Sequence, residues 1–179
     1  MSDPDAAPAD GDAVAPAPSE PEAVHGAPLT TALGEVTLHP TRDRLAEVVR
    51  ALRDEGWLMC LDVTAVDHLA NAAPRALPDG VAPERFEVVV TLISHQRAER
   101  LRIKVQVPGD DPTVPSLFEV HPGTEALERE VFDMFGIGFE GHPDLTRILM
   151  PEDWVGHPLR KDYAPGRIPV QFKGDPGPR

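Results

Sequence analysis

Six side chains in the C-terminal third of this 179-residue chain could in principle hold a metal ion. His142 and His157 would supply imidazoles, and Glu130, Asp133, Asp144 and Asp162 carboxylates, the ligand types of hydrolytic zinc and non-haem iron sites. Their spacing works against it. Each histidine sits in a Gly-His-Pro tripeptide, Gly141-His142-Pro143 and Gly156-His157-Pro158, fifteen residues apart. They fall in separate turns and not at i, i+4 on one helix face. The competing reading has each imidazole hydrogen-bonding in or around its own turn, with proline fixing the backbone, or facing a subunit interface. Arg147, Arg160 and Lys161 could clamp a phosphate or carboxylate, or pair with acids such as Asp144, Glu152 and Asp162. Trp154 reads as an interface or core anchor.

Other chemistries lack their motifs. There is no Gly-rich phosphate loop, no dinucleotide fingerprint after a strand and no Gly-x-Ser-x-Gly elbow. The single cysteine, Cys60, excludes an internal disulfide and a cluster or zinc site built from several of the chain's own thiolates. Within Trp57-Leu58-Met59-Cys60-Leu61 it reads as a small core hydrophobe. Seventeen basic against thirty acidic residues give a net charge of −13, which argues against nucleic acid or an anionic membrane as partner. No apolar run approaches the ~20 residues needed to span a bilayer.

These residues need elements to position them. Leu127, Val131, Met134 and Phe135 share one face at helical spacing, so a helix is expected there. Thr124 would cap it, early glutamates would suit its dipole, Arg129 and Asp133 would pair on the solvent side, and Gly136 would end it. From Gly136 to Tyr163 the chain is loop-like, yet Phe139, Leu145, Ile148, Leu149, Trp154 and Leu159 call for burial, against the same domain or a partner.

Upstream, Glu35–Leu38 reads as a short strand. Thr41 would cap a helix striped by Leu45, Val48, Val49 and Leu52 and ended by Gly56. Trp57–Val66, Phe86–Ile93 and Leu101–Val107 read as strands, the last two joined as a hairpin, with 71–83 a loop. The order implies an α+β fold: a small, mostly antiparallel sheet packed with helices, followed by an extended loop-rich C-terminal segment. Residues 1–28 hold six prolines, eight alanines and six acids without Lys or Arg, and are expected to be a disordered acidic arm with no targeting signal. Residues 29–163 would form one domain with its loop at 136–163. In the tail, 164–179, Ile168, Val170 and Phe172 alternate with Pro169, Gln171 and Lys173, the pattern of an extended segment able to wrap a partner.

Taken in order, Glu128-Arg129-Glu130, Phe132, Asp133, Phe135-Gly136, Phe139, Gly141 to Leu145, Arg147 to Leu149 and Gly156 to Tyr163 resemble the signature of the C subunit of bacterial NADH-quinone oxidoreductase, respiratory complex I. Two positions depart from it, Ala126 where a tryptophan is frequent and Thr146 where many members have arginine. The resemblance implies a peripheral-arm subunit of a membrane enzyme that moves electrons from NADH through FMN and iron–sulfur clusters to quinone and pumps protons. It implies that this chain carries no catalytic residue and no cofactor; FMN, Fe–S clusters and quinone belong to partner subunits. Its partners would be the quinone-site subunit (D) and the terminal-cluster subunit (B), on the cytoplasmic side of the cell membrane. Interface residues would come from Glu128, Arg129, Glu130, Asp133, His142, Asp144, Arg147, Trp154, His157, Arg160, Lys161, Asp162 and Tyr163. Two alternatives stand beside it: the same accessory role in a membrane-bound hydrogenase or ferredoxin-dependent quinone reductase, and a free-standing metal-dependent enzyme using the Gly-His-Pro loops.

Overall fold

The structure, a computed structural model, describes residues 23–71 and 74–164. Alternating apolar residues make its strands. In β6 (Glu99–Val107) Leu101, Ile103, Val105 and Val107 are buried, while Arg102, Lys104 and Gln106 lie half-exposed between them. Antiparallel β5 (Phe86–Ser94) sits beside it and places Val88 opposite Val105 and Val90 opposite Ile103. On the other side of β5, β4 (Met59–Asp67) forms one edge of a six-stranded sheet. The rest comes from the N-terminal end: β1 (Ala23–Val24), β2 (Ala27–Ala32) and β3 (Glu35–Leu38), in the order β1-β2-β3-β6-β5-β4. All neighbours run antiparallel except β3 and β6.

Helix α1 (Leu45–Asp54) buries Leu45, Val48, Val49 and Leu52, all at most 2% exposed. At ~1.5–3 kcal/mol for each fully buried large aliphatic side chain, that stripe is what holds the helix on the sheet. A 3-10 turn, Arg42–Arg44, precedes it, and the Thr41 hydroxyl does not cap the backbone there. Helix α2 (Glu125–Phe135) adds Val131, Met134 and Phe135 to the same core, with Leu127 half-buried at its margin. A second, two-stranded parallel sheet, β7 (Thr113–Pro115) with β8 (Gly138–Glu140), flanks α2. Cys60 packs partly buried against the core, and burial pushes its thiol up to about 12, so it is not a thiolate at neutral pH.

The α+β architecture and the loop-rich C-terminal segment agree with the sequence reading, but the boundary of the N-terminal arm does not. Residues 23–28, expected to be disordered, form β1 and the start of β2 around a turn at His25 (φ 51°) and Gly26 (φ 71°). Both φ values are positive, as a two-residue type I′ hairpin requires. Ala27 is buried, His25 Nε2 lies 2.9 Å from Glu55 Oε1, and the His25 carbonyl accepts from Arg44 Nη2 at 3.0 Å. Composition hid this hairpin, because Ala, Val and Pro carry little periodic signal. Residues 1–22 and the tail from 165 lie outside the described residues, so the expectations for both ends concern segments the structure does not describe.

Candidate functional site

Helix α2 is held at both ends by buried carboxylates of its own. Near its start Glu128, fully buried, accepts hydrogen bonds from Ser116 Oγ at 2.6 Å, the Leu117 N–H at 2.7 Å and Thr124 Oγ1 at 2.9 Å. The Thr124 hydroxyl, expected to cap the helix backbone, is spent on this side chain.

One helical turn and a half further on, Asp133 is also fully buried. Its Oδ2 accepts the successive N–H groups of Ile148 (3.1 Å), Leu149 (2.8 Å) and Met150 (2.8 Å). Its Oδ1 takes Arg147 Nη1 at 2.6 Å. Burial alone would push this carboxyl up; the N–H groups of Met150, Leu149 and Ile148 and the Arg147 guanidinium outweigh it and hold it below the usual carboxylate range. The expected Arg129–Asp133 pair on the solvent side is therefore wrong. Arg129 turns instead to the Thr146 carbonyl (3.1 Å) and hydroxyl (3.0 Å) and the Arg147 carbonyl (3.2 Å).

The C-terminus of α2 leaves carbonyls without helical partners, and the second Gly-His-Pro segment supplies them. Because a carbonyl only accepts, His157 must donate from Nδ1 to Asp133 O, at 2.9 Å. The Leu159 N–H reaches Met134 O at 3.0 Å, and Arg160 donates from Nε to Phe135 O and from Nη2 to Gly136 O at 3.3 Å. A guanidinium at this end also suits the helix dipole. Gly136 makes the approach possible. Its φ is +69°, and a Cβ there would lie 2.5 Å from His157 Nε2 and 2.6 Å from Arg160 Nη2. Arg147 Nη2 closes the loop on Gly156 O at 3.0 Å, and the Tyr163 ring packs where a Gly156 side chain would stand.

The loop then returns to the sheet. Asp67, at the end of β4, accepts the Lys161 N–H at 2.9 Å and Arg85 Nη2 at 3.0 Å, and the same Arg85 nitrogen holds Asp162 Oδ1 at 2.8 Å. Asp67 is buried, and Arg85 is the cation that hydrogen-bonds its carboxylate. Arg85→Gln is expected to cost about 1.5–3 kcal/mol, the range for a hydrogen bond to a charged group. Urea unfolding of the purified chain checks this, and an unchanged midpoint would show that the tie is not structural.

The first Gly-His-Pro segment is tied elsewhere. His142 Nδ1 accepts the Asp144 N–H and Nε2 donates to Glu125 O, each at 3.1 Å, so the ring is used at both nitrogens. Glu125 and Asp133 are eight residues apart on α2, so the two imidazoles bind carbonyls about 12 Å apart along the axis. The proposed metal ligands are not brought together, and among the described residues no group of three His, Cys, Asp or Glu side chains could hold a metal. Of the cations expected to pair with acids such as Asp144, Glu152 and Asp162, Arg147 does pair with an acid, Asp133, while Arg160 binds backbone carbonyls and Asp162 pairs with Arg85.

With its polar groups turned inward, the loop turns apolar ones out. Phe139 is buried and Leu145 half-buried, but Ile148 (41%), Leu149 (59%), Trp154 (41%), Val155 (87%) and Leu159 (49%) are exposed. Glu130, Asp144, Glu152, Asp153 and Lys161 are exposed around them. This geometry presents an apolar surface ringed by charged side chains.

Residues 38–168 match the family model described as respiratory-chain NADH dehydrogenase, 30 Kd subunit. The chain belongs to this 30 kDa subunit family. Curated relatives that bear the name of the C subunit of NADH-quinone oxidoreductase include that of Saccharopolyspora erythraea, 46% identical over 149 residues, covering 82% of this chain and 56% of the relative. That of Nocardia farcinica is 50% identical over 144 residues, covering 79% and 53%. The chain thus spans little more than half the length of the curated relatives it matches. Among solved structures, a trypsin-resistant fragment (1-134) of Nqo5 superposes with TM-score 0.59 at 35% identity, covering 67% of this chain and 90% of the fragment. An archaeal membrane-bound sulfane sulfur reductase superposes with TM-score 0.59 at 22% identity, covering 77% of each chain, a likeness of fold. Within the motif, the side chains of Glu128, Arg129, Asp133, His142, Arg147, His157 and Arg160 each bind backbone groups. Sequence reasoning missed the motif's distant partners Asp67, Arg85 and Ser116, which carry no local signal because they meet the loop only in three dimensions.

Proposed function

We propose that this chain is a non-catalytic docking subunit of the peripheral arm of an NADH:quinone oxidoreductase. It holds no cofactor itself; NADH oxidation, electron transfer through FMN and iron–sulfur clusters, and quinone reduction take place in its partners. The names of its curated relatives support the complex. The observation that carries the docking role is the inversion of the loop from Arg147 to Arg160: Arg147, His157 and Arg160 are consumed on backbone carbonyls and Asp133, while Ile148, Leu149, Trp154, Val155 and Leu159 face outward. Aromatic and aliphatic anchors on a rigid support are what an interface uses. The partners proposed for this surface are the quinone-site subunit (D) and the terminal-cluster subunit (B), which would hold the chain on the cytoplasmic side of the membrane. No helix among the described residues is long and apolar enough to cross a membrane, and attachment through partners needs none. Assembly of the membrane complex with the Leu149→Asp, Trp154→Asp double variant tests this reading. The variant should fold and fail to co-purify with the complex; full incorporation would overturn the reading.

A further inference from the structure

The other end of β4 carries features that the signature loop does not use. β4 pairs with β5 on one side and with no strand on the other among the described residues. An open edge offers a row of backbone donors and acceptors, and natural sheets usually blunt such edges with charge or proline. Here the register shift between Cys60 and Asp62 leaves Leu61 unpaired and 48% exposed, next to Met59 (45%) and Leu58 (64%). Leu58, Met59 and Leu61 thus make the start of β4 apolar and exposed.

Beside it lies a cleft of about 230 Å³ lined by Leu58, Met59, Arg53 and His121, among others. His121 is only 6% exposed, and its Nε2 is buried without a hydrogen-bond partner among the described residues. An unsatisfied buried polar atom costs ~1–3 kcal/mol, so it calls for a partner the chain does not supply. Arg53, exposed in the last turn of α1, has no ion pair or side-chain hydrogen bond among the described residues, unlike Arg85, Arg129, Arg147 and Arg160. The site therefore joins an apolar strand edge to a free cation and an orphan imidazole nitrogen.

We propose that the outer edge of β4 is a second docking site, which takes an extended segment of a partner subunit by strand addition. The segment lays apolar side chains on Leu58, Met59 and Leu61 and places one carboxylate between Arg53 and His121. Main-chain hydrogen bonds supply affinity in such an arrangement, and the carboxylate fixes register. The chain's own net charge of −13 makes a basic partner the general expectation, so an acidic anchor at this point sets the site apart from the rest of the surface. The inference rests on the reading that the chain works as a subunit, but on none of the residues of the signature loop.

The test uses the full chain in cells that make the complete membrane complex. The photo-crosslinker p-benzoylphenylalanine replaces Leu58 in one strain and Trp154 in another, and crosslinked peptides are identified by mass spectrometry. The expected result at position 58 is one peptide of a partner subunit with Asp or Glu beside the crosslink. Its yield should fall roughly tenfold with Arg53→Glu, the effect of losing one charge-assisted contact, and recover when the captured acid is also changed to lysine. Arg53 is exposed, so this substitution leaves folding intact. Crosslinks at 58 that are absent, confined to a second copy, or confined to residues 1–22 of the same chain overturn the proposal. In those cases capture of a partner from position 154 shows that the docking reading itself stands, and its absence there shows that both fail.

Discussion

Replacing Asp133 by alanine should remove about 3–5 kcal/mol of folding stability, the cost of breaking a buried ion pair by deleting one partner. Against a total of ~5–15 kcal/mol for an ordinary domain, that is a large fraction. The change orphans three N–H groups, at Ile148, Leu149 and Met150, and leaves Arg147 beside an empty position with its side chain only 15% exposed. Asp133→Asn keeps one acceptor oxygen and should cost less. The pH dependence has a definite sign. A carboxyl held below its unfolded value of about 3.9 contributes stability that is present above that pH and lost as pH falls through the folded value. The gap in unfolding free energy between the native chain and Asp133→Asn should thus be widest near neutrality and shrink below about pH 4. Denaturant unfolding at a series of pH values measures it, and a gap that stays constant down to pH 2 would contradict the assigned role.

The second large effect is on assembly. Leu149 is 59% exposed and Trp154 41% exposed, so aspartate at either position meets water in the free chain and should leave its melting temperature within a few degrees. In a packed interface the same substitution removes an apolar anchor and buries a charge. Anchor residues commonly cost 2 kcal/mol or more when truncated, about thirtyfold in affinity each. The double variant is therefore expected to bind its partners roughly a thousandfold more weakly, and the purified complex to lack the chain. Normal assembly would mean that the exposed loop is only a tolerated surface.

The elements that position this loop were legible because periodicity is local. The stripe Leu45, Val48, Val49, Leu52 and the alternation in β6 are each visible within ten residues, and all are buried as expected. The loop itself was legible as a motif but not as a mechanism. Arg129 and Asp133, four apart, suggest an intrahelical pair, yet the stripe of Val131, Met134 and Phe135 also turns Asp133 inward, and burial selects three backbone donors and Arg147 instead. Asp67 and Lys161 meet across 94 residues, a separation no local pattern encodes. By type, Leu149 and Leu159 call for burial, in the domain or against a partner. Their exposure follows from the backbone around them being pinned to α2 by Asp133 and by the Leu159 N–H itself.

The docking role is tested most directly by hydroxyl-radical footprinting of the free chain and of the intact membrane complex, read residue by residue. Leu149, Trp154, Val155 and Leu159 should label readily in the free chain and be protected severalfold in the complex, while exposed Leu33, on the tip of the β2–β3 hairpin, labels equally in both. Equal labelling of those four residues in both samples would contradict the account.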